Sequence, residues 1–88
     1  GTVRGVVLDA ETGAPLPGVL VAICEPAIEA VTGADGRFTL GGVPAGAHTL
    51  YVSLVGFVLA RPRVEVGPDG AILGPDAELT IPLTPGAG

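Results

Sequence analysis

The residue types that most often carry out catalysis are sparse in this chain. It contains one histidine, His48, and one serine, Ser53, so a serine nucleophile with a histidine base would have to use these two. They stand five positions apart in a stretch that alternates like a β-strand, which points their side chains to opposite faces. A base must lie within about 3 Å of its nucleophile. The spacing therefore predicts no catalytic pair.

Residues that could bind a metal or form a covalent cross-link are equally scarce. The single cysteine, Cys24, allows no internal disulfide and no cysteine-based metal site, and His48 has no second histidine with which to share a metal. The chain has no lysine and no asparagine, so it cannot form an internal Lys–Asn isopeptide bond. No segment has the spacing of an EF-hand calcium loop. Carboxylates fall at predicted turns, where Asp favours bonds to its own backbone: Asp9, Glu11, Asp35, Asp69 and Asp76. We predict no catalytic, cofactor-binding or metal-binding residue and no cofactor.

Composition limits the partners further. The formal net charge of −5, with only 4 basic residues, disfavours nucleic acid, because binding it needs clustered Lys and Arg. The longest nearly apolar run, residues 49–60, is shorter than the roughly 20 residues that a spanning helix needs. We therefore expect a domain that is not itself inserted in a membrane. Although Gly (15) and Pro (9) are abundant, a hydrophobic share of 48% predicts one folded core.

The apolar residues form short alternating runs separated by Gly, Pro and Asp, which is typical of an all-β sandwich. The pattern predicts seven strands, over residues 3–8, 19–24, 28–32, 37–40, 48–54, 58–66 and 77–83. Asp35-Gly36 predicts a hairpin turn between the third and fourth strands. Pro62 excludes a fully paired central position, and Pro82 places the last strand at an edge. Residues 1–84 are predicted to form the domain and residues 85–88 to begin a linker.

Five groups of residues, in order along nearly the whole chain, carry a resemblance to a known family. They are Val3-x-Gly5-x-Val7-x-Asp9, Thr12-Gly13-x-Pro15-Leu16-x-Gly18, Thr32 with Asp35-Gly36-x-Phe38-x-Leu40, Val43-Pro44-Ala45-Gly46, and Leu50-x-Val52-Ser53-x-x-Gly56-Phe57. This order resembles the carboxypeptidase regulatory-like domain family. The resemblance implies a non-catalytic, seven-stranded antiparallel Greek-key β-sandwich of the transthyretin (prealbumin) type. His48 departs from the family pattern, which usually has an aromatic residue there.

The resemblance also suggests where the domain works. Such domains form N-terminal extensions of TonB-dependent outer-membrane transporters, follow the catalytic unit of some metallopeptidases, and recur in bacterial surface proteins. The ending, residues 79–88, resembles the junction before a TonB box and plug, and the opening suits a position soon after a signal peptide. We expect a periplasmic extension of such a transporter, with a secreted peptidase accessory domain or a surface repeat as alternatives. The partner would be the rest of the parent chain: plug and barrel, or a catalytic domain.

Some apolar residues fall on strand faces that the alternation assigns to the outside. Val6, Leu8, Leu20 and Tyr51, with Ala22 and Cys24, are predicted to form an interaction face if they are contiguous. Neighbouring strands and loops could instead cover them singly, because sandwich exteriors carry isolated apolar residues. A free sheet edge is a second route to a partner protein, by addition of a strand.

Overall fold

The computed structural model describes residues 2–24, 27–68 and 78–86, and it is all-β. These residues contain no helix, which confirms the predicted fold class. These ranges contain eight strands: β1 (Val3–Asp9), β2 (Leu20–Cys24), β3 (Ala27–Val31), β4 (Arg37–Leu40), β5 (Gly46–Thr49), β6 (Tyr51–Ser53), β7 (Arg63–Val66) and β8 (Leu79–Leu83).

The strands form two three-stranded sheets and one pair. The first sheet has the order β4-β1-β8, the second β3-β2-β6, and β5 pairs with β7. The β1–β8 pairing is parallel, with Gly5 opposite Leu79 and Asp9 opposite Leu83, whereas every other strand pairing is antiparallel. A wholly antiparallel sandwich was predicted. The difference arises because β8 returns to the first sheet only after the chain has built the second, and such a long connection allows a parallel neighbour. The Greek-key connectivity stays a prediction.

A proline divides what the sequence predicted as two long strands. Residues 46–53 and 60–66 keep one antiparallel register, from Gly46 opposite Val66 to Val52 opposite Ala60. Between these pairs, the Leu50 N–H donates to the Pro62 carbonyl at 2.8 Å. Pro62 has no N–H with which to return the bond. The ladder is therefore interrupted, and the predicted strands 48–54 and 58–66 appear as β5, β6 and β7 with a short bridged segment.

A turn forms at Asp35-Gly36, but the predicted hairpin between the third and fourth strands is wrong, because the turn connects two sheets. Gly36 has a φ of 75° and donates its N–H to the Gly33 carbonyl, while Gly33 N–H donates to Arg37. This is a three-residue loop with glycine in the left-handed conformation. However, β3 and β4 do not pair with each other. The Gly36 carbonyl accepts from Val7 N–H instead, so the turn carries the chain to the edge of β1.

One hydrophobic core lies between the sheets. The predicted inward residues are buried on both sides: Val3, Val7, Phe38, Leu40, Ile81 and Leu83 from the first sheet, and Val19, Val21, Ile23, Leu50 and Val52 from the second layer. β2 is central in the second sheet, and the proline-bearing β8 is an edge strand, as predicted. Pro85 and Gly86, which the sequence assigned to the linker, contact the sandwich, since Pro85 bridges to Phe57 and Gly86 N–H donates to Gly56. The predicted domain boundary stays a prediction.

Candidate interaction surface

Two of the predicted turn carboxylates bond to backbone groups. Asp9 Oδ1 accepts from the N–H of Glu11 at 2.7 Å and of Thr12 at 3.2 Å. Asp35 Oδ1 accepts from Arg37 N–H at 3.1 Å. Asp stabilises turns by local bonds of this kind. Both carboxylates therefore have a structural role in a turn. Asp69 and Asp76 lie outside the described residues.

An ion pair crosses the outer side of the first sheet. Arg37 Nη1 donates to both carboxylate oxygens of Glu78, at 2.8 and 2.9 Å. Both side chains are about half exposed. Water and salt screen such a pair, which contributes at most about 1 kcal/mol. The pair connects the start of β4 to the residue just before β8, and it does not form a catalytic site.

His48 and Ser53 lie on opposite sides of their layer, as their spacing predicts. His48 is opposite the buried Val64 in the β5–β7 pair, and its Nε2 lies 2.7 Å from the Pro44 carbonyl, a distance that suits an Nε2–H donor. Ser53 is opposite Leu20, whose side chain is exposed. His48 is half-buried at the margin of the core.

No multidentate metal site appears in the parts of the chain that the structure describes. Within residues 2–24, 27–68 and 78–86, no group of three or more His, Cys, Asp or Glu side chains could hold an ion. Cys24 is a free, exposed thiol at the end of β2. Across the same ranges, no helix is long and apolar enough to cross a membrane.

The structure separates the residues of the predicted interaction face. Val6 and Leu8 belong to β1 and are half-buried on the outer side of the first sheet. Leu20 and Tyr51 belong to β2 and β6, on the outer side of the second sheet. Because the two sheets share the core between them, their outer sides face in opposite directions. The four residues therefore cannot form one continuous patch.

Within the described strands, the exposed large hydrophobic side chains all belong to the second layer: Leu20, Val31 and Tyr51. Residues directly opposed in an antiparallel pair share a face, and we call the solvent-exposed side of strands β3, β2 and β6, extended by β5 and residues 59–65, the outer face. Its side chains form rows across the strands. One row runs Val31, Leu20 and Ser53, and the next runs Glu29, Ala22, Tyr51 and Arg61. Continued along the strands, the same register gives a third row of Ala27, Cys24, Thr49 and Arg63, beyond which Ala47 lies opposite Glu65.

The position of Arg61 follows from its neighbours. Ala60 is bridged to Val52, and Pro62 accepts from Leu50, so Arg61 lies opposite Tyr51. The intervening residues Ala60 and Pro62 are half-buried, whereas Arg61 is exposed. This alternation places its guanidinium at the rim of the outer face.

The apolar part of the outer face is substantial. Val31 is 62% exposed, Leu20 38% and Tyr51 37%, and Leu59 is 50% exposed beside the bridged Ala60. Tyrosine and arginine are among the residue types that are enriched in protein interfaces.

Sequence reasoning missed Val31, Leu59, Arg61 and Arg63 as members of this face. Val31 could have been found, since alternation in β3 places it outward with Glu29. The others could not, because their side depends on the register between 46–53 and 60–66. The sequence does not give that register, because it predicts both stretches as unbroken strands.

Comparison with known proteins identifies the family. The family model for the carboxypeptidase regulatory-like domain matches residues 2–83. The chain belongs to this family, a non-catalytic type of domain, as its sequence pattern suggested. A search of curated proteins found no match.

Proposed function

We propose that this chain is a non-catalytic scaffold and interaction domain that forms the periplasmic N-terminal extension of a TonB-dependent outer-membrane transporter. Membership of the carboxypeptidase regulatory-like family supports the non-catalytic role. The occurrence of such domains ahead of transporter plugs supports the setting.

The outer face of the second layer is the observation that carries the interaction role. Asp9 and Asp35 bond to backbone N–H groups, and Arg37 is paired with Glu78. The outer face, by contrast, presents exposed apolar side chains with Tyr51 among them. In this role the domain provides contacts and spacing, while the plug and barrel of the parent chain handle substrate and energy coupling.

Cell fractionation tests the setting. An antibody raised against the domain should detect a parent polypeptide much larger than this domain in the outer-membrane fraction. Protease added to intact cells should leave the domain undigested, and protease added after permeabilisation of the outer membrane should degrade it. A periplasmic protein of known location serves as the control for permeabilisation.

Other outcomes would overturn the proposal in distinct ways. A soluble secreted parent with peptidase activity in the same fraction would make the chain an accessory domain of a metallopeptidase. Digestion of the domain on intact cells would make it part of a surface protein. Either result leaves the family assignment intact and removes the transporter.

A further inference from the structure

The outer face carries charged residues at both of its sides. Glu29 lies on β3, the edge strand at one side. Arg61 and Arg63 lie at the opposite side, on the segment that pairs with β5 and β6, and Glu65 follows them there, one row beyond Arg63. The strands at the two sides are about 14 Å apart at the usual strand spacing. Between them the face carries Ala22 and Tyr51.

These charges have no partner within residues 2–24, 27–68 and 78–86. Both ion pairs there are made by Arg37, with Asp35 and with Glu78. Glu29, Arg61 and Arg63 form neither an ion pair nor a side-chain hydrogen bond with another described residue. Their charged groups are thus available to a molecule that covers the face.

We infer that the outer face binds a second copy of the same chain. A two-fold axis lying in the interface and parallel to the strands reverses the order of the strands but keeps each row at its level. Glu29 of each copy then faces Arg61 of the other. The same operation sets Tyr51 over Ala22, and Leu20 over Ser53.

Each of these pairings is complementary. Carboxylate meets guanidinium at both sides, and a large side chain meets a small one at the centre, which is the packing that stacked sheets require. A two-fold interface uses the same patch on both copies and needs this self-complementarity. A two-fold axis perpendicular to the strands would instead keep the strand order, and it would place Glu29 near Glu29 and Arg61 near Arg61.

The size of the face sets the strength of the contact. Stable complexes bury about 800 Å² on each partner. A face about 14 Å wide with three rows offers less than this, so the dimer is weak and forms at high local concentration. Attraction between the charged sides orients the copies and accounts for most of its salt dependence.

The outer side of the first sheet lacks these features. Arg37 there is already paired with Glu78, and Val6 and Leu8 are half-buried between their neighbours. The edge strand β8 carries Pro82 on this sheet. The two sides of the sandwich therefore differ in their capacity to bind a second copy.

Charge reversal tests this arrangement. Sedimentation equilibrium of the 88-residue chain at up to millimolar concentration and low ionic strength should show a monomer–dimer equilibrium that salt weakens. Glu29→Arg or Arg61→Glu alone should weaken dimerisation by about tenfold or more, because each places like charges together twice. The double variant, Glu29→Arg with Arg61→Glu, should restore it.

Matched controls separate this effect from a change in net charge. Arg4→Glu and Glu11→Arg alter charge to the same extent away from the outer face and should leave the dimer unchanged. Circular dichroism of every variant checks that it is folded. A chain that stays monomeric at millimolar concentration would overturn the inference, leaving the face to a different partner. A dimer unaffected by the reversals, or not restored by the double variant, would overturn it as well.

Discussion

Gly5 and Phe38 form a matched pair in the core. Gly5 lies opposite Phe38 across the β1–β4 pairing, and the aromatic ring packs over the glycine. A Cβ at position 5 would lie 2.7 Å from two ring carbons of Phe38 and 2.8 Å from the Leu79 carbonyl oxygen. Contacts this short force the neighbours to move. The absence of a side chain at position 5 is what allows the ring to be buried.

Gly5→Ala should therefore destabilise the domain by about 1–3 kcal/mol, the usual cost of overpacking a core. Urea unfolding followed by circular dichroism measures the change in the free energy of unfolding. Gly41→Ala is the control, because nothing lies within 4 Å of a Cβ at that position. It should change stability by less than about 0.5 kcal/mol. Equal effects at the two positions would show that the close approach of Phe38 is not limiting.

At the scale of elements, Thr32 fastens a loop to the end of β3. Its hydroxyl donates to the Leu16 carbonyl at 2.7 Å and accepts from Val19 N–H at 2.9 Å. Its backbone bonds to Gly18 and Val19 as well. Thr32 is the buried polar residue of the described chain. The loop that precedes β2 is thereby fixed against the strand with which β2 pairs.

Thr32→Val keeps the shape of the side chain but removes the hydroxyl that bonds to the Leu16 carbonyl and the Val19 N–H. We expect a loss of about 1–3 kcal/mol, the cost of unsatisfied buried groups. Thermal and urea unfolding measure it. The same substitution at the exposed Thr39 of β4 should be neutral within about 0.5 kcal/mol. If Thr32→Val proved as mild as Thr39→Val, the hydroxyl would not be holding the loop.

The sequence predicts a strand well where apolar and polar residues alternate regularly. It predicts less well where the bounds or the sheet of a strand depend on its pairing partner. The bounds of β4 and the inward residues of β1 and β2 follow from alternation alone, since a buried face repeats every second residue. The break between β5 and β6 does not, because it depends on the partner Pro62 and the bond that it cannot donate. The sheet that β4 joins likewise could not be predicted from the sequence. A turn sequence fixes a local reversal and leaves open which sheet the next strand joins.

At the scale of the whole molecule, the same limit explains why the sequence does not predict which residues share an interaction surface. Alternation assigned Val6 and Leu20 correctly to outward positions, yet it cannot tell which strands share a sheet. Only the assembled layers show that these two residues lie on opposite sides of the sandwich. The rows of the outer face, with Glu29 at one side and Arg61 at the other, likewise require the register across the strands.

The parallel pairing of β1 with β8 gives the domain a direction of mechanical strength. A tension applied before β1 and after β8 acts at opposite ends of the ladder from Gly5–Leu79 to Asp9–Leu83. Such a load shears all of the bonds of the pair at once. Gly46 and Val66, by contrast, are directly paired, so pulling on them opens the β5–β7 ladder one bond at a time.

Single-molecule pulling through positions 2 and 84 should therefore require a higher unfolding force than pulling through positions 46 and 66. Forced unfolding reports the unfolding barrier under load, so the same folded molecule serves as its own control. Equal forces in the two directions would show that the β1–β8 ladder does not limit unfolding. When the β1–β8 ladder limits unfolding, tension along the polypeptide leaves this domain folded while mechanically weaker segments around it extend.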